Sequence, residues 1–332
     1  MKLLVIGGGV FLGKALVGAA IRRGHRVTIF NRGKATTEVS PGAEWIKGDR
    51  NEDVHLLSGR DWDAAIDTCG YYPRQVRVLL EAIEAKIGHY TFISSVSAYA
   101  DLGLSGVTEN SPVAAPLDPN EERVTGETYG PLKGACEKAA QDSGIRSVLV
   151  VRPGIIVGPG DPTGRFAYWV ARVARGGEVL APGDPQAKIQ LIDVRDLADW
   201  LVTMAEQQTS GIFNTVGSPS LTWGEMLATC ARELGSQTTF TWVGDAFLTG
   251  HAINDWSNLP LHISEANRAF AGMFQIDGGA ASRRGLGLRP FGETVADTSR
   301  WLSAGGAGTR APLGLIPERE RELLLAWRAG RT

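Results

Sequence analysis

The chain has 332 residues, a formal net charge of −2 and a sequence pI near 6.2. This balance creates no global attraction to nucleic acid or to an anionic membrane, so neither is expected as a partner. The three cysteines, Cys69, Cys136 and Cys230, are scattered, which favours neither a disulfide framework nor a zinc site and is typical of a reducing cytosol. The apolar run 1–6 is too short for a signal-peptide core or a membrane span. These features predict a soluble cytoplasmic protein without a metal.

The N-terminal segment alternates between strand and helix signals. Residues 3–6 form a short apolar run that ends in glycines, which is typical of a buried strand. A helical pattern follows, and Gly24 is placed to end it. Residues 27–30 predict a second strand, so the segment indicates a βαβ unit. The apolar stripe of the predicted helix comprises Leu12, Ala15, Leu16, Ala19 and Ala20.

The same alternation continues to about residue 158. Strands are predicted at 45–46, 64–66, 90–93 and 147–151, and helices at 76–87 and around Tyr129. Strands that alternate with helices form parallel sheets covered on both faces. The predicted fold class is therefore α/β, with a doubly wound parallel sheet.

Beyond residue 158 the pattern loosens and indicates a smaller second domain. A helix at 197–206 and a strand at 212–216 are predicted to extend the first layer, so residues 190–217 return to the domain formed by 1–158. Residues 159–189 and 218–332 are assigned to an interleaved C-terminal substrate domain. A glycine-rich linker at 304–308 leads to an amphipathic helix at 317–329. Aromatic side chains in the second domain predict either a substrate pocket or plain core: Trp169, Trp242, Phe247 and Trp256.

A glycine turn follows the first strand and opens the first helix, which is the context that phosphate binding requires. Glycines let backbone N–H groups approach a pyrophosphate at the positive end of a helix. The alternative is a tight turn with no ligand. The predicted cofactor contacts in this turn are Gly7, Gly9, Val10, Phe11, Leu12 and Gly13.

The end of the second strand bears on the choice of cofactor. A carboxylate there would hold the ribose 2′-hydroxyl of NAD, whereas an arginine accommodates the 2′-phosphate of NADP. This chain has Asn31, Arg32 and Lys34 and no carboxylate. The pattern favours NADP(H), with NAD(H) as the alternative; two solvated basic residues at a strand end would give the same sequence.

Tyr129 and Lys133 are four residues apart, so a helix places them on one face. An ammonium beside the phenol is expected to lower the phenol pKa from about 10 towards neutrality, which would make Tyr129 a usable general acid/base. A partly buried core phenol and a solvated lysine are the alternatives. His251 and His262 have no metal-ligand spacing.

Together these motifs resemble the short-chain dehydrogenase/reductase superfamily in its extended, atypical form, the NAD-dependent epimerase/dehydratase family. Further matching segments are 48–49, 92–99, 151–159 and 192–197. The resemblance implies a Rossmann fold, a homodimer by default, adenine contact by Asp49, and a Ser95–Tyr129–Lys133 triad. In that triad Ser95 would hold the substrate oxygen and Lys133 would also bind the nicotinamide ribose; a strand-end serine could instead satisfy local backbone. Other cofactor contacts implied are Thr68, Cys69, Gly70, Ser94 and Pro153.

Three departures from the family pattern bear on the substrate. Val10 replaces a glycine of the turn, as in a branch that includes chloroplast stem-loop-binding proteins, some of which act on RNA. Val96 and Ser97 stand where sugar-nucleotide dehydratases carry an acidic pair. Gly154 stands where epimerases place an asparagine that faces the sugar nucleotide.

These features predict an NAD(P)-dependent oxidoreductase, in particular a carbonyl reductase that acts on a small carbonyl/alcohol metabolite. The first alternative is an NAD-dependent sugar epimerase. The second is a nucleic-acid-binding or regulatory protein on the same fold. The acidic segment 100–127 predicts either a substrate lid or a solvated loop, and its charge argues against RNA near the catalytic pair.

Overall fold

The computed structural model describes residues 1–34, 40–83, 87–253, 255–306 and 313–330. Seven strands form one parallel sheet in the order β10-β6-β5-β4-β1-β2-β3, and two small parallel pairs, β7-β9 and β8-β11, lie outside it. The strands are β1 (Lys2–Ile6), β2 (Arg26–Asn31), β3 (Ala43–Lys47), β4 (Trp62–Asp67), β5 (Ile87–Ile93), β6 (Val148–Pro153), β7 (Ile155–Val157), β8 (Gly177–Pro182), β9 (Leu191–Asp193), β10 (Gly211–Thr215) and β11 (Thr238–Val243).

Helices cover both faces of the large sheet. The helices are α1 (Phe11–Arg22), α2 (Pro73–Ile83), α3 (Tyr129–Gln141), α4 (Arg165–Ala174), α5 (Val194–Glu206), α6 (Trp223–Leu234), α7 (Asp245–Gly250), α8 (Gly279–Arg283), α9 (Phe291–Ser303) and α10 (Pro317–Ala329). Helices α1 and α5 pack together on one face, and α2 and α3 pack together on the other. This arrangement confirms the predicted doubly wound α/β fold of the Rossmann type.

Strand β1 shows why its sequence is apolar without alternation. Leu3 and Val5 face the core beneath α1 and α5, whereas Leu4 and Ile6 face the core beneath α2 and α3. Successive side chains of a strand point to opposite faces, and here both faces are buried. A continuous apolar run is therefore the pattern that this position requires.

A third core lies between α4, α6, β8 and β11. Its largest buried side chain, Trp169, donates its indole N–H to the Pro260 carbonyl at 2.7 Å. The C-terminal helix α10 joins this core through a buried ion pair, in which Arg172 Nε lies 2.6 Å from Glu320 Oε2. Trp169 therefore belongs to the core and not to a pocket wall. We propose that this core corresponds to the predicted substrate domain.

Several predicted boundaries differ from the structure. The helix predicted at 76–87 begins at Pro73, because proline suits the first helical position, and its described part runs to Ile83. Residue 87 already belongs to β5. Residues 84–86, and the part of the predicted linker at 307–308, lie outside the described residues. Strands β7, β8, β9 and β11 carry no strong period in sequence and were not predicted.

Among the helices of the described ranges, none is both long enough and apolar enough to cross a bilayer.

A buried histidine lies near the amino end of β5. His89 Nδ1 is 2.8 Å from Ser147 Oγ, and Nε2 is 2.7 Å from Thr91 Oγ1. Burial lowers the pKa of His89 from 6.5 to about 4, so the ring is neutral at neutral pH.

We expect His89 to make folding pH-dependent in a defined window. Its folded pKa is below its unfolded pKa, so the unfolded state takes up a proton first and stability is lost as the pH falls from about 6.5 to about 4. Between pH 7 and pH 5 this loss is about 2 kcal/mol. Urea unfolding of the parent and His89→Gln at both pH values measures it. Equal pH-dependent losses in the two proteins would exclude this origin.

Candidate active site

A cleft of about 560 Å³ opens at the carboxyl ends of β1, β2 and β4. In doubly wound sheets this crevice, where the strand order reverses beside β1, is the position at which ligands bind. Twelve of the residues predicted to contact a cofactor line it: Gly7, Gly9, Val10, Phe11, Leu12, Gly13, Asn31, Arg32, Lys34, Asp49, Thr68 and Cys69.

Close backbone approach explains the glycines of the turn. A Cβ on Gly7, whose φ is +107°, would lie 2.2 Å from Thr68 Oγ1. A Cβ on Gly13 would lie 2.6 Å from the backbone nitrogen of Gly8, so α1 could not pack on the turn. Phe11 also adopts a positive φ, +43°, which is unusual for an aromatic residue. The turn is thus a backbone cradle that side chains would fill.

The start of α1 fits a pyrophosphate. Val10 occupies the N-cap with an extended backbone and makes no side-chain cap, so the first N–H groups of α1 have no side-chain acceptor there. Such groups bind anions at helix N-termini. The Val10 side chain is 42% exposed. The residues present therefore fit a dinucleotide.

At the end of β2, Asn31 is hydrogen-bonded to the glycine turn, whereas the neighbouring Arg32 is exposed. The Asn31 side-chain nitrogen donates to the Gly7 carbonyl at 2.5 Å, and its oxygen accepts from the Gly33 N–H at 2.9 Å. Asn31 thus fixes the geometry of the turn. Arg32 is 55% exposed, and its Nη1 lies 3.8 Å from Asp49 Oδ2. Lys34 is exposed on the same rim.

The other residues lining the cleft include four with polar side chains that the sequence did not single out: Arg50, Asn51, Tyr71 and Gln75. Arg50 forms a buried bidentate pair with Asp67, with both N–O distances at 2.8 Å. The Tyr90 hydroxyl donates to the same carboxylate at 3.0 Å. Arg50 directly follows Asp49, the predicted adenine contact. This position in the sequence could have indicated that Arg50 lies at the cleft.

Two glycines of α3 bring Tyr129 close to Ser95. A Cβ on Gly130 would lie 2.1 Å from the Ser97 carbonyl oxygen, and one on Gly134 would lie 2.4 Å from Val113 Cγ1. The helix therefore packs directly on the turn at 96–98 that follows β5. Ser95 caps this turn by accepting from the Ser97 N–H at 3.1 Å, which leaves its hydroxyl hydrogen able to donate.

The expected lowering of the Tyr129 pKa is wrong in direction. Burial raises the pKa of the half-buried Tyr129 phenol above its usual value, and a hydrogen bond with Ser95 opposes this rise. Tyr71 raises the pKa further, whereas the Arg165 guanidinium lowers it. Lys133 Nζ is 6.0 Å from the centre of the Tyr129 ring and is bonded elsewhere. The phenol therefore stays protonated at neutral pH.

Lys133 is buried and joins α3 to the sheet. Its ammonium donates to the carbonyls of Gly70 and Ile93, both at 2.7 Å. Burial lowers the pKa of Lys133 below its usual value, whereas the Asp67 carboxylate raises it. An ammonium has three donors, so a third bond to a ribose is compatible with this geometry.

The remaining predicted contacts do not line the cleft. Ser94 is buried and donates to Glu137, which forms a buried ion pair with Arg152, the residue before Pro153. Gly70 packs against the Phe92 ring, so close that a Cβ would lie 2.7 Å from it. Cofactor contact by these three residues and by the twelve that line the cleft stays a prediction, as do the roles of Ser95, Tyr129 and Lys133.

Two curated proteins resemble the chain over part of its length. It is 26% identical over 257 residues to the chloroplast stem-loop binding protein of 41 kDa b from Arabidopsis thaliana, an alignment covering 70% of this chain and 63% of that protein. It is 32% identical over 186 residues to a 2-alkyl-3-oxoalkanoate reductase from Stenotrophomonas maltophilia, covering 48% and 52%. The matches span less than two thirds of either relative.

Solved structures share the fold at low identity. The human epimerase family protein SDR39U1 with NADPH has a TM-score of 0.61 at 20% identity, covering 90% of this chain and 99% of that one. UDP-glucose 4-epimerase from Thermotoga maritima with UDP-glucose has a TM-score of 0.64 at 18% identity, and the alignment covers 92% of this chain and 99% of that one. UDP-glucuronic acid 4-epimerase from Bacillus cereus with NAD has a TM-score of 0.66 at 16% identity, and the alignment covers 94% of this chain and 100% of that one.

The family itself is established by sequence. The profile described as the NAD dependent epimerase/dehydratase family matches residues 3–215, which include β1 to β10 and the whole dinucleotide cleft. This match confirms the resemblance drawn from the motifs. The chain belongs to the NAD dependent epimerase/dehydratase family.

Proposed function

We propose that the protein is an NAD(P)-dependent carbonyl reductase acting on a small carbonyl/alcohol metabolite. The observation that carries this proposal is a protonated phenol, Tyr129, beside the Ser95 hydroxyl, at the edge of the sheet where the cleft opens. The relative that acts as a 2-alkyl-3-oxoalkanoate reductase supports reduction of a carbonyl. The near-neutral charge of the chain gives less support to an RNA ligand such as the name of the chloroplast relative suggests.

Each side chain has a role in this proposal. A bound nicotinamide supplies the hydride. Tyr129 donates its phenolic proton to the substrate oxygen. Burial, which raises the pKa of the phenol, keeps this proton in place until charge develops on that oxygen. Ser95 donates a second hydrogen bond to that oxygen and stabilises the charge that develops on it. Lys133 positions α3, and with it the phenol, through its bonds to the carbonyls of Gly70 and Ile93.

For the cofactor we propose NADP(H) rather than NAD(H). Arg32 and Lys34 provide positive charge at the rim of the cleft, and Arg32 is more than half exposed. Asn31 is committed to the turn, so it is poorly placed to select a ribose hydroxyl. A guanidinium suits a phosphate because its planar donors match phosphate oxygens. The NADPH bound to the human relative of the same fold supports this choice.

The alternative is an epimerase that oxidises and re-reduces a sugar nucleotide with tightly held NAD. It is favoured by the family and by neighbours solved with UDP-sugars. Val96 is fully buried in an apolar cluster and supplies no acid/base group, which argues against a dehydratase. The position that argues against an epimerase is Gly154, because epimerases place an asparagine there. A Cβ on Gly154 would lie 3.1 Å from Val216 Cγ1, so a larger side chain would displace that valine.

We expect Tyr129→Phe to lower the kcat of carbonyl reduction by about 10²–10⁴-fold, because it removes only the proton donor. Cofactor binding, measured by fluorescence titration, should stay nearly unchanged. Tyr168→Phe, which loses a phenol hydroxyl in the second domain, is the matched control. A variant that retains turnover within about threefold of the parent would refute the assignment.

In the oxidative direction the parent rate should rise with pH, since the phenol must then be deprotonated.

We expect Arg32→Ala to weaken NADPH binding by roughly 1–3 kcal/mol and NADH binding little, because only NADPH carries the 2′-phosphate. Calorimetric titration of both cofactors measures the difference. Arg60→Ala is the control, since Arg60 is exposed, pairs with Glu44 and does not line the cleft. Equal losses for both cofactors, or a parent preference for NADH, would show that Arg32 does not recognise the phosphate.

We expect thermal unfolding to separate the reductase from the epimerase. A ligand that binds only the native state must raise the unfolding temperature. NADP(H) should therefore raise the unfolding temperature. UDP-, GDP- and dTDP-sugars should raise it no more than the corresponding free nucleotides do. A clear shift with one sugar nucleotide beyond its free nucleotide would favour the epimerase.

A further inference from the structure

We infer that Lys47 is a further determinant of cofactor specificity, whose ammonium binds the 2′-phosphate of NADP(H) together with the Arg32 guanidinium. This inference rests on the proposed function, because it deepens the choice of cofactor at the same cleft. Lys47 is the last residue of β3 and is exposed. It lies between two cofactor motifs of the sequence, the end of β2 and the segment 48–49, and belongs to neither.

Strand pairing brings Lys47 to the rim of the cleft. Strands β2 and β3 are parallel, and Asn31 pairs with Lys47 in register. The next residue, Gly48, donates its backbone N–H to the Asn31 carbonyl at 3.0 Å. Asn31 and Gly33 line the cleft. In this fold the ribose 2′ position of a dinucleotide lies at the end of the second strand, so Lys47 lies beside it on the neighbouring strand.

Gly33 brings the Lys47 side chain close to the wall of the cleft. Gly33 adopts a φ of +68°, a left-handed conformation that favours glycine. A Cβ on Gly33 would lie 2.7 Å from Trp45 Cζ2 and 3.5 Å from Lys47 Cε. Because glycine has no side chain, the stem of Lys47 passes this wall residue at close range. The ammonium, one bond beyond Cε, is therefore within reach of a phosphate at the rim.

Trp45 links Lys47 to the end of β2. The two side chains lie on the same face of β3, and Lys47 Nζ is 6.0 Å from the centre of the Trp45 ring. A lysine stem can follow such a ring while its ammonium stays in solvent. The Trp45 indole N–H donates to Asn31 Oδ1 at 3.1 Å, and the same oxygen accepts from the Gly33 N–H. Both acceptor positions of this oxygen are thus used, so it is poorly placed to accept from the 2′-hydroxyl of NAD(H).

The charges at the rim explain why a second cation is needed. A phosphate monoester carries a charge of about −1.5 to −2 at neutral pH. Arg32 Nη1 lies 3.8 Å from Asp49 Oδ2, so the carboxylate offsets part of the guanidinium charge. Within the described ranges the Lys47 ammonium has no carboxylate partner, and its recorded contact is with the Trp45 ring. Lys47 therefore supplies positive charge that Arg32, beside Asp49, does not supply alone.

The test uses ligand pairs that differ in the 2′-phosphate. Binding of NADPH and NADH, and of adenosine 2′,5′-bisphosphate and adenosine 5′-monophosphate, is measured by calorimetry. We expect Lys47→Met to weaken binding of the two 2′-phosphorylated ligands by about 5- to 30-fold and to change the other two by less than about twofold. Lys47→Arg, which keeps the charge, should retain most of the affinity. Lys2→Met is the matched control, since it removes an exposed lysine at the amino end of β1, the opposite edge of the sheet.

The outcomes separate this inference from the proposed function. If Lys47→Met and Lys2→Met bind every ligand equally well, the Lys47 site is overturned, and a preference of the parent for NADPH still stands. Equal losses for ligands with and without the 2′-phosphate also overturn it, because Lys47 would then act on another part of the cofactor or on the fold. A parent that binds NADH more tightly than NADPH overturns both this inference and the proposed cofactor. Binding is measured without a carbonyl substrate, so each outcome is independent of the reductase activity.

Discussion

The position of the Tyr129 phenol depends on one buried charge, the Lys133 ammonium. An ammonium taken out of water is costly unless it is bonded, and here it donates to two backbone carbonyls at the ends of β4 and β5. The rings of Phe92 and Tyr71, at 4.8 and 5.3 Å, add cation–π contacts. These partners hold α3 against the carboxyl edge of the sheet, so Tyr129, one turn earlier on the same helix face, lies beside Ser95.

Two buried ion pairs stiffen the same edge. Arg50 and Asp67 lie beneath the dinucleotide cleft, and Arg152 and Glu137 lie beneath the Ser95 turn. Buried pairs contribute little net stability, because desolvation offsets their attraction, but removing one partner leaves an uncompensated charge. Loss of one partner of either pair would therefore destabilise the strand ends next to the site.

The electrostatics of the site keep the Tyr129 phenol protonated at neutral pH. Tyr129 is held in its protonated form by burial, and Lys133, committed to backbone carbonyls, does not reverse that. A group that is protonated at working pH can act as an acid at once, whereas acting as a base first requires loss of the proton. The Arg165 guanidinium lowers the pKa of the phenol, and it belongs to α4 and not to the helix that carries Tyr129.

The sequence by itself determined the strand–turn–helix start, the alternation that makes a doubly wound sheet, and most of the residues lining the dinucleotide cleft. These are local features: an apolar run, glycines at a turn, and a helical period each act within a few residues. Only the tertiary structure decided the direction of the Tyr129 pKa shift, the engagement of Asn31 with the turn, the burial of Val96 and the approach of Arg165. Each of these depends on burial and on partners far away in the chain, and a spacing of four residues on a helix contains no information about either.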